Sequence, residues 1–260
     1  MNLSEIGKVY KLNSENKFII DKDKEFPQPL INLVNVVLKY IKSIVNLHSI
    51  YLRGSCLELD VTDKSISDLD ISIVYESDAF RYNTMNNESK ETIIETMNEL
   101  YGFSLRPDVG FYSKPLWLYN PINRFYARRI AGNEDLSITS LDIDEALSFQ
   151  KGVEDQQFVS CVNKIRNCRN DSMYIKNIIK QFYRTFGMIV LLNKKMLSRD
   201  IYYCHTALVE NYPEKSQSLE KILHLFLNTE DYTYSKILSI LDEFEETTTY
   251  LHSVVNSTHK

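Results

Sequence analysis

Asp68 and Asp70, in the stretch SDLDISIV, are two carboxylates separated by one apolar residue at the head of an apolar run. If that run is a strand, its side chains alternate faces, so Asp68 and Asp70 project to one side while Leu69 and Ile71 project to the other. Adjacent carboxylates repel, and each resists ionisation beside its neighbour, so a cation is needed if both are to stay charged. A hard divalent ion such as Mg²⁺, with phosphate oxygens among its ligands, suits this donor pair. A solvated turn that carries two acids is the alternative reading of the same tripeptide. Upstream, Leu52-Arg53 leads into Gly54-Ser55. A glycine at a strand end lets phosphate oxygens approach the backbone, and the serine adds a hydroxyl and an N–H. A phosphate cradle and a pair of metal-binding acids then lie one strand apart.

The elements that must position these groups follow from periodicity. Apolar residues Leu30, Leu33, Val37, Ile41 and Ile44 recur at helical spacing between Pro29 and Asn46. Ser49 to Arg53 reads as a short strand, Leu69 to Tyr75 as a second, and Phe103 to Tyr112 as a third that alternates less cleanly around Pro107. A polar loop over residues 81–90 and a helix from Glu91 to Tyr101 separate the second strand from the third. Pro115, Pro121 and Gly132-Asn133 punctuate the next stretch. From about Asp142 the pattern is helical, with segments Ala146 to Asn167, Met173 to Lys194, Ile201 to Glu210, Lys215 to Leu227 and Tyr234 to Val254. The chain is therefore expected to be α+β, with an α/β half over residues 1–140 and an all-α helical bundle over 141–260.

The ordered set Gly54, Ser55, Asp68 and Asp70, within LRGS and SDLDISIV, resembles the signature of the polymerase-β-like nucleotidyltransferase superfamily. The layout is similar to that of bacterial members with an N-terminal nucleotidyltransferase domain, built on a small mixed sheet, and a C-terminal helical domain. That family takes a third carboxylate from a later strand, and Asp108 in LRPDVGFY is the matching residue. The resemblance implies that Asp68, Asp70 and Asp108 hold two Mg²⁺ (or Mn²⁺) ions and act in catalysis. One ion would orient the triphosphate and the other would lower the pKa of an acceptor hydroxyl. It further implies an NTP substrate, ATP foremost, and an acceptor that is a small molecule such as an aminoglycoside, a protein side chain or an RNA end such as that of tRNA. One departure stands out. Many relatives follow the Gly-Ser with small residues and a second glycine, whereas this chain has Cys56-Leu57-Glu58-Leu59, where Leu59 adds bulk and Glu58 a repelling charge.

Two ions do not neutralise a whole triphosphate, so the leaving pyrophosphate calls for further positive charge. Lys176, Lys180 and Arg184 recur at fours beside the apolar stripe Ile175, Ile178, Phe182 and Phe186. Lys180 and Arg184 are the expected nucleotide-binding cations, with Lys164, Arg166 and Arg169 as a second cluster. The same stripe also reads as an ordinary wet face. His205, among apolar neighbours, reads as a satisfied structural histidine rather than a base. Trp117, Tyr112 and Tyr119 read either as a platform for a nucleobase or as packing.

Composition narrows the classes. The chain has 260 residues, 43% hydrophobic and 25% charged, which is ordinary for a soluble globular protein. A net charge of -5 argues against a surface that coats nucleic acid but leaves room for a local basic groove. Cys56, Cys161, Cys168 and Cys204 form no Cys-x-x-Cys pair, so neither a zinc site nor a disulfide framework is indicated. The N-terminus lacks the basic-then-apolar pattern of a signal peptide and no apolar run reaches membrane-spanning length. These features together lead us to expect a cytoplasmic protein. A catalytically inactive version of the same fold, serving as a nucleotide sensor or a partner-binding module of a toxin–antitoxin or phage-defence pair, is the alternative function. A Mg²⁺-dependent phosphodiesterase ranks below both, because such sites recruit histidine and His48 is the nearest to either motif.

Overall fold

The computed structural model describes residues 8–22, 26, 31, 35, 38, 47–54, 57, 68–76, 106–167 and 171–257. In chain order the elements are β1 (Tyr10–Lys11), β2 (Lys17–Ile19), β3 (Leu47–Arg53), β4 (Asp68–Tyr75), β5 (Arg106–Ser113), α1 (Lys114–Tyr119) and α2 (Pro121–Phe125). There follow β6 (Arg128–Gly132), β7 (Ser140–Asp142), α3 (Ile143–Arg166), α4 (Ser172–Phe182), a π-helical turn (Tyr183–Gly187) and α5 (Met188–Asn193). The last elements are β8 (Met196–Leu197), α6 (Ile201–Asn211), α7 (Ser216–Leu227) and α8 (Tyr234–Ser257). The fold class is α+β. Two compact units divide the chain: Ile19–Leu141 forms one, and Met1–Phe18 with Asp142–Lys260 forms the other. The helices expected over 29–46 and 91–101 lie, save for scattered residues of the first, outside the described residues.

A four-stranded mixed sheet in the order β5-β4-β3-β6 organises the first unit. β3 runs antiparallel to both β4 and β6, whereas β4 and β5 are parallel. Consecutive residues Ile71, Ser72, Ile73 and Val74 are all fully buried, so the centre of β4 is covered on both faces, which is why it reads as a nearly unbroken apolar run. On one face Tyr51 stacks on Trp117 with ring centroids 4.8 Å apart, and Tyr112 meets Trp117 edge-on at 5.3 Å. Val74, Ala127 and Leu136 complete this cluster. Gly132, at φ +110°, is required where β6 leaves β3, because a Cβ there would come within 2.4 Å of the His48 carbonyl oxygen and of Ser49 Cα. Lys22 closes the end of α2 by donating from Nζ to the Arg124 and Ala127 carbonyls, and burial pushes its amine down to about 8.

At the beginning of β3, His48 is 1% exposed and faces Ser49 Oγ through Nδ1 at 2.7 Å. Its Nε2 lies 3.4 Å from Glu76 and 3.3 Å from Glu134, and Lys114 reaches the same two carboxylates. The Lys114 ammonium beside Glu134 holds that carboxyl below its ordinary range. This charged group pins the segment after β6 to the β3 end opposite Arg53.

In the second unit the helices surround a core that includes Phe182, Phe186, Ile189, Leu208, Ile222 and Phe244. Phe182 packs edge-on against Phe244 at 4.9 Å. β1 pairs antiparallel with β8, Tyr10 opposite Leu197, and so ties the N-terminal segment to this unit. The continuous helix expected over Met173 to Lys194 is interrupted by the π-helical turn. In that turn a Cβ on Gly187 would stand 2.5 Å from Cys204 Cβ, so glycine permits α6 to pack there. Among the described residues no helix is long and apolar enough to cross a membrane.

His205 on α6 is buried, with Nδ1 3.2 Å from the Tyr183 hydroxyl and Nε2 3.1 Å from Glu220. Tyr183 in turn donates to the Leu219 carbonyl. Burial lowers the His205 pKa beneath its ordinary 6.5, against the smaller opposing pull of Glu220. The unfolded chain therefore takes up this proton at a higher pH than the folded chain does. The histidine's contribution is fully present above the unfolded value and is lost as pH falls from it toward the folded value. Melting temperature followed from about pH 7.5 to about pH 5 should decline less in His205→Gln than in the wild type.

Candidate active site

The strand register assembles the site at the Arg53 end of β3. Arg53 is paired across to Asp70 on β4, and Asp70 is paired across to Asp108 on β5. Asp68 stands two positions before Asp70 on the same strand and is paired with Arg106. Positions paired in register, and positions two apart on one strand, belong to one face of a sheet. Antiparallel pairing brings the end of β3 to the start of β4, and parallel pairing brings the start of β5 to the same end of the sheet. Three aspartate positions and two arginine positions thus meet there, although the sequence separates them widely.

Gly54 follows directly, with φ +87°, a left-handed conformation that L side chains rarely adopt. A Cβ at this position would come within 2.3 Å of Asp70 Oδ2. The half-buried Asp70 carboxylate therefore sits against the bare glycine backbone. The chain turns immediately afterwards, with the Leu57 N–H donating to the Gly54 carbonyl at 3.1 Å. Arg53 lays its guanidinium 5.7 Å from the Tyr112 ring centre and donates from Nη1 to Asn123 Oδ1 at 3.4 Å, so α2 and β5 both hold it. Deeper along the same face, the fully buried Ser72 Oγ and Trp117 Nε1 have no hydrogen-bond partner among the described residues.

The donors fit a hard divalent cation. They are carboxylates rather than thiolates or imidazoles, and the space a Cβ would fill at Gly54 is kept open beside one of them. Asp68 and Asp108 are placed by backbone register, and Ser55 lies outside the described residues, as do Cys56, Glu58 and Leu59.

The remaining expected residues belong to the helical unit. Arg184 donates from Nε to the Arg199 carbonyl at 3.1 Å, and Lys176 is 3.8 Å from Glu230. Lys164 donates to Gln181, and Arg166 pairs with Glu245 at 2.6 Å. Lys180 is half-buried on α4, and Arg169 lies outside the described residues. Trp117 is fully buried in the sheet cluster, which makes it packing rather than a platform for a base, while Tyr119 is exposed. A separate group in the helical unit brings donor atoms of Glu154, Asp155 and His252 within 4.8 Å of one another. Its two carboxylates face different ring nitrogens, Glu154 at Nδ1 (2.8 Å) and Asp155 at Nε2 (3.8 Å), so they bracket the ring. Phe158 stacks flat on that ring at 3.8 Å. Sequence reasoning missed Arg53 and Arg106 as members of the acid row. Arg53 is the last strand residue before Gly54 and Arg106 stands two residues before Asp108, but which aspartates they pair with is set by register between distant segments.

No family profile matches the chain, and no curated protein sequence matches it. Among solved structures it is similar to the spectinomycin adenyltransferase AAD(9) of Enterococcus faecialis, solved with ATP and spectinomycin. The identity is 16% and the TM-score 0.47, over 84% of this chain and 98% of that one. It is also similar to a chain in the complex of the tri-AMPylated Shewanella oneidensis HEPN toxin with the MNT antitoxin. There the identity is 16% and the TM-score 0.25, over 50% of this chain and 90% of that one.

The contact between Gly54 and Asp70 sets a direct expectation. Gly54→Ala must displace the carboxylate and accept a left-handed backbone, so urea denaturation should show a loss of about 1–3 kcal/mol. Asp70→Gly in the same background should recover part of it, because the clashing atoms are gone.

Proposed function

We propose that the chain is a metal-dependent nucleotidyltransferase that moves a nucleoside monophosphate from an NTP, ATP foremost, to an acceptor hydroxyl. The observation that supports this reading is the register row Asp70–Asp108, with Asp68 two positions away and the left-handed Gly54 against the Asp70 carboxylate. Three carboxylates at one sheet end, beside a backbone bare of side chain, form a donor set suited to Mg²⁺ or Mn²⁺ carrying a triphosphate. When bound there, two such ions neutralise the phosphate oxygens and lower the pKa of the acceptor hydroxyl.

The chain's own part is orientation and proton transfer. Asp68 and Asp70 hold the ions, and Gly54 with Ser55 lets the triphosphate lie close to the backbone. Asp108 takes the hydroxyl proton or shares the ion that activates it. The acceptor oxygen bonds to the α-phosphorus, the bond from that phosphorus to the bridging oxygen breaks, and pyrophosphate leaves with the electron pair. Lys180 and Arg184 are the proposed cations for the leaving pyrophosphate. The acceptor class is open among a small molecule, a protein side chain and an RNA end.

Incubation of the purified chain with each of the four α-³²P-labelled NTPs and Mg²⁺ or Mn²⁺, against an aminoglycoside panel, total tRNA and cell lysate in turn, tests the reading. Label should pass to one fraction, and Asp68→Ala and Asp108→Asn should each lower the rate by at least about a hundredfold. Lys180→Ala and Arg184→Ala should weaken ATP use while leaving metal binding intact. The absence of both transfer and ATP binding would overturn the reading.

A further inference from the structure

A triphosphate approaching this end of the sheet meets carboxylates of its own sign, and divalent ions shared with those carboxylates leave it still negative. A cation fixed beside the row would answer that charge. The cations expected from sequence stand on the helical unit, where Arg184 donates from Nε to the Arg199 carbonyl and Lys176 is 3.8 Å from Glu230. The sheet unit has one of its own in Arg53, the residue that leads directly into the left-handed Gly54. Arg53 shares a face with Asp70 by register, and its guanidinium lies over that face, 5.7 Å from the centre of the Tyr112 ring. That ring is itself laid against the bare backbone of Gly110, where a Cβ would come within 2.9 Å of Tyr112 Cε2. Asn123 on α2 accepts from Arg53 Nη1 at 3.4 Å. A guanidinium presents five N–H donors in a rigid fork, the shape that grips phosphate oxygens in pairs. Two neighbours from different elements hold this one half-buried, where its charge is screened less than in open water.

From this geometry we infer that Arg53 is a substrate-binding residue, whose guanidinium takes phosphate oxygens of the nucleotide's triphosphate beside the Gly54 backbone. The inference rests on the nucleotidyltransferase reading and adds to it a cation from the same end of the sheet as the acids. Asn123 acts through Arg53 and is a positioning residue, set in place by α2, a short helix capped at its start by the Asn120 side chain. The fork, and not the charge alone, is what the arrangement prepares, so lysine would replace Arg53 only in part.

Calorimetric titration tests this, with Mn²⁺ alone and with ATP or inorganic tripolyphosphate in the presence of Mn²⁺. The proteins are wild type, Arg53→Gln, Arg53→Lys, Asn123→Ala and the double variant Arg53→Gln/Asn123→Ala, each checked for folding by its melting curve. Arg53→Gln should weaken ATP and tripolyphosphate alike by about ten- to a hundredfold and leave the binding of Mn²⁺ alone within about twofold. Arg53→Lys should fall between. Asn123→Ala should cost about threefold by itself and nothing further beside Arg53→Gln. Unchanged ATP affinity in Arg53→Gln, a loss for ATP without one for tripolyphosphate, or a loss of Mn²⁺ binding in step with ATP would overturn the inference and leave the transfer reading standing. A wild type that binds neither ATP nor tripolyphosphate would overturn both together.

Discussion

Strand register that brings three aspartate positions to one end of a sheet is the constraint around which the first unit is organised. Asp70 and Asp108 are register partners, and Asp68 precedes Asp70 by one pleat. Such a row requires a fixed geometry. Register fixes the geometry, because a slip of one residue would carry the Asp68 and Asp70 positions to the opposite face of the sheet from Asp108. The glycine at the end of β3 supplies room beside the Asp70 carboxylate. A side chain at residue 54 would collide with the very carboxylate the row depends on.

The surrounding elements divide the two sheet ends between different chemistries. At the beginning of β3 the polar groups are committed to one another: His48, Glu76, Glu134 and Lys114 form a closed charged group that anchors the segment after β6. At the Arg53 end, strand register brings the positions Asp68, Asp70 and Asp108 together with Arg53 and Arg106. In the helical unit, by contrast, His205 is taken up by Tyr183 and Glu220, and His252 by Glu154 and Asp155.

Much of this was legible in the residues themselves. The strands expected over 49–53 and 69–75 announce themselves by apolar runs, the first ending in Gly-Ser and the second following acids, the one expected over 103–112 is found at 106–113, and α3, α6, α7 and α8 follow from helical spacing. The short helices α1 and α2 were hidden, because Pro115 and Pro121 read as punctuation, yet proline suits the first turn of a helix, and both helices are capped there by the Ser113 and Asn120 side chains. The edge strand β6, with two arginines and a glycine in five residues, carries too weak an alternation to be read without its partner β3. At the site, the aspartates were visible one strand at a time. Which residues stand opposite them depends on register between distant segments, so the arginine partners appear only once the strands are paired.

The central claim is that this acid row binds divalent ions in company with a nucleoside triphosphate. The most direct test is anomalous diffraction from crystals of the chain grown with Mn²⁺ and a non-hydrolysable ATP analogue. The account predicts manganese peaks within coordination distance of Asp68 and Asp70, with Asp108 adjoining and the triphosphate running past Gly54. Manganese and nucleotide absent from this end of the sheet, or manganese bound only at Glu154, Asp155 and His252, would contradict it.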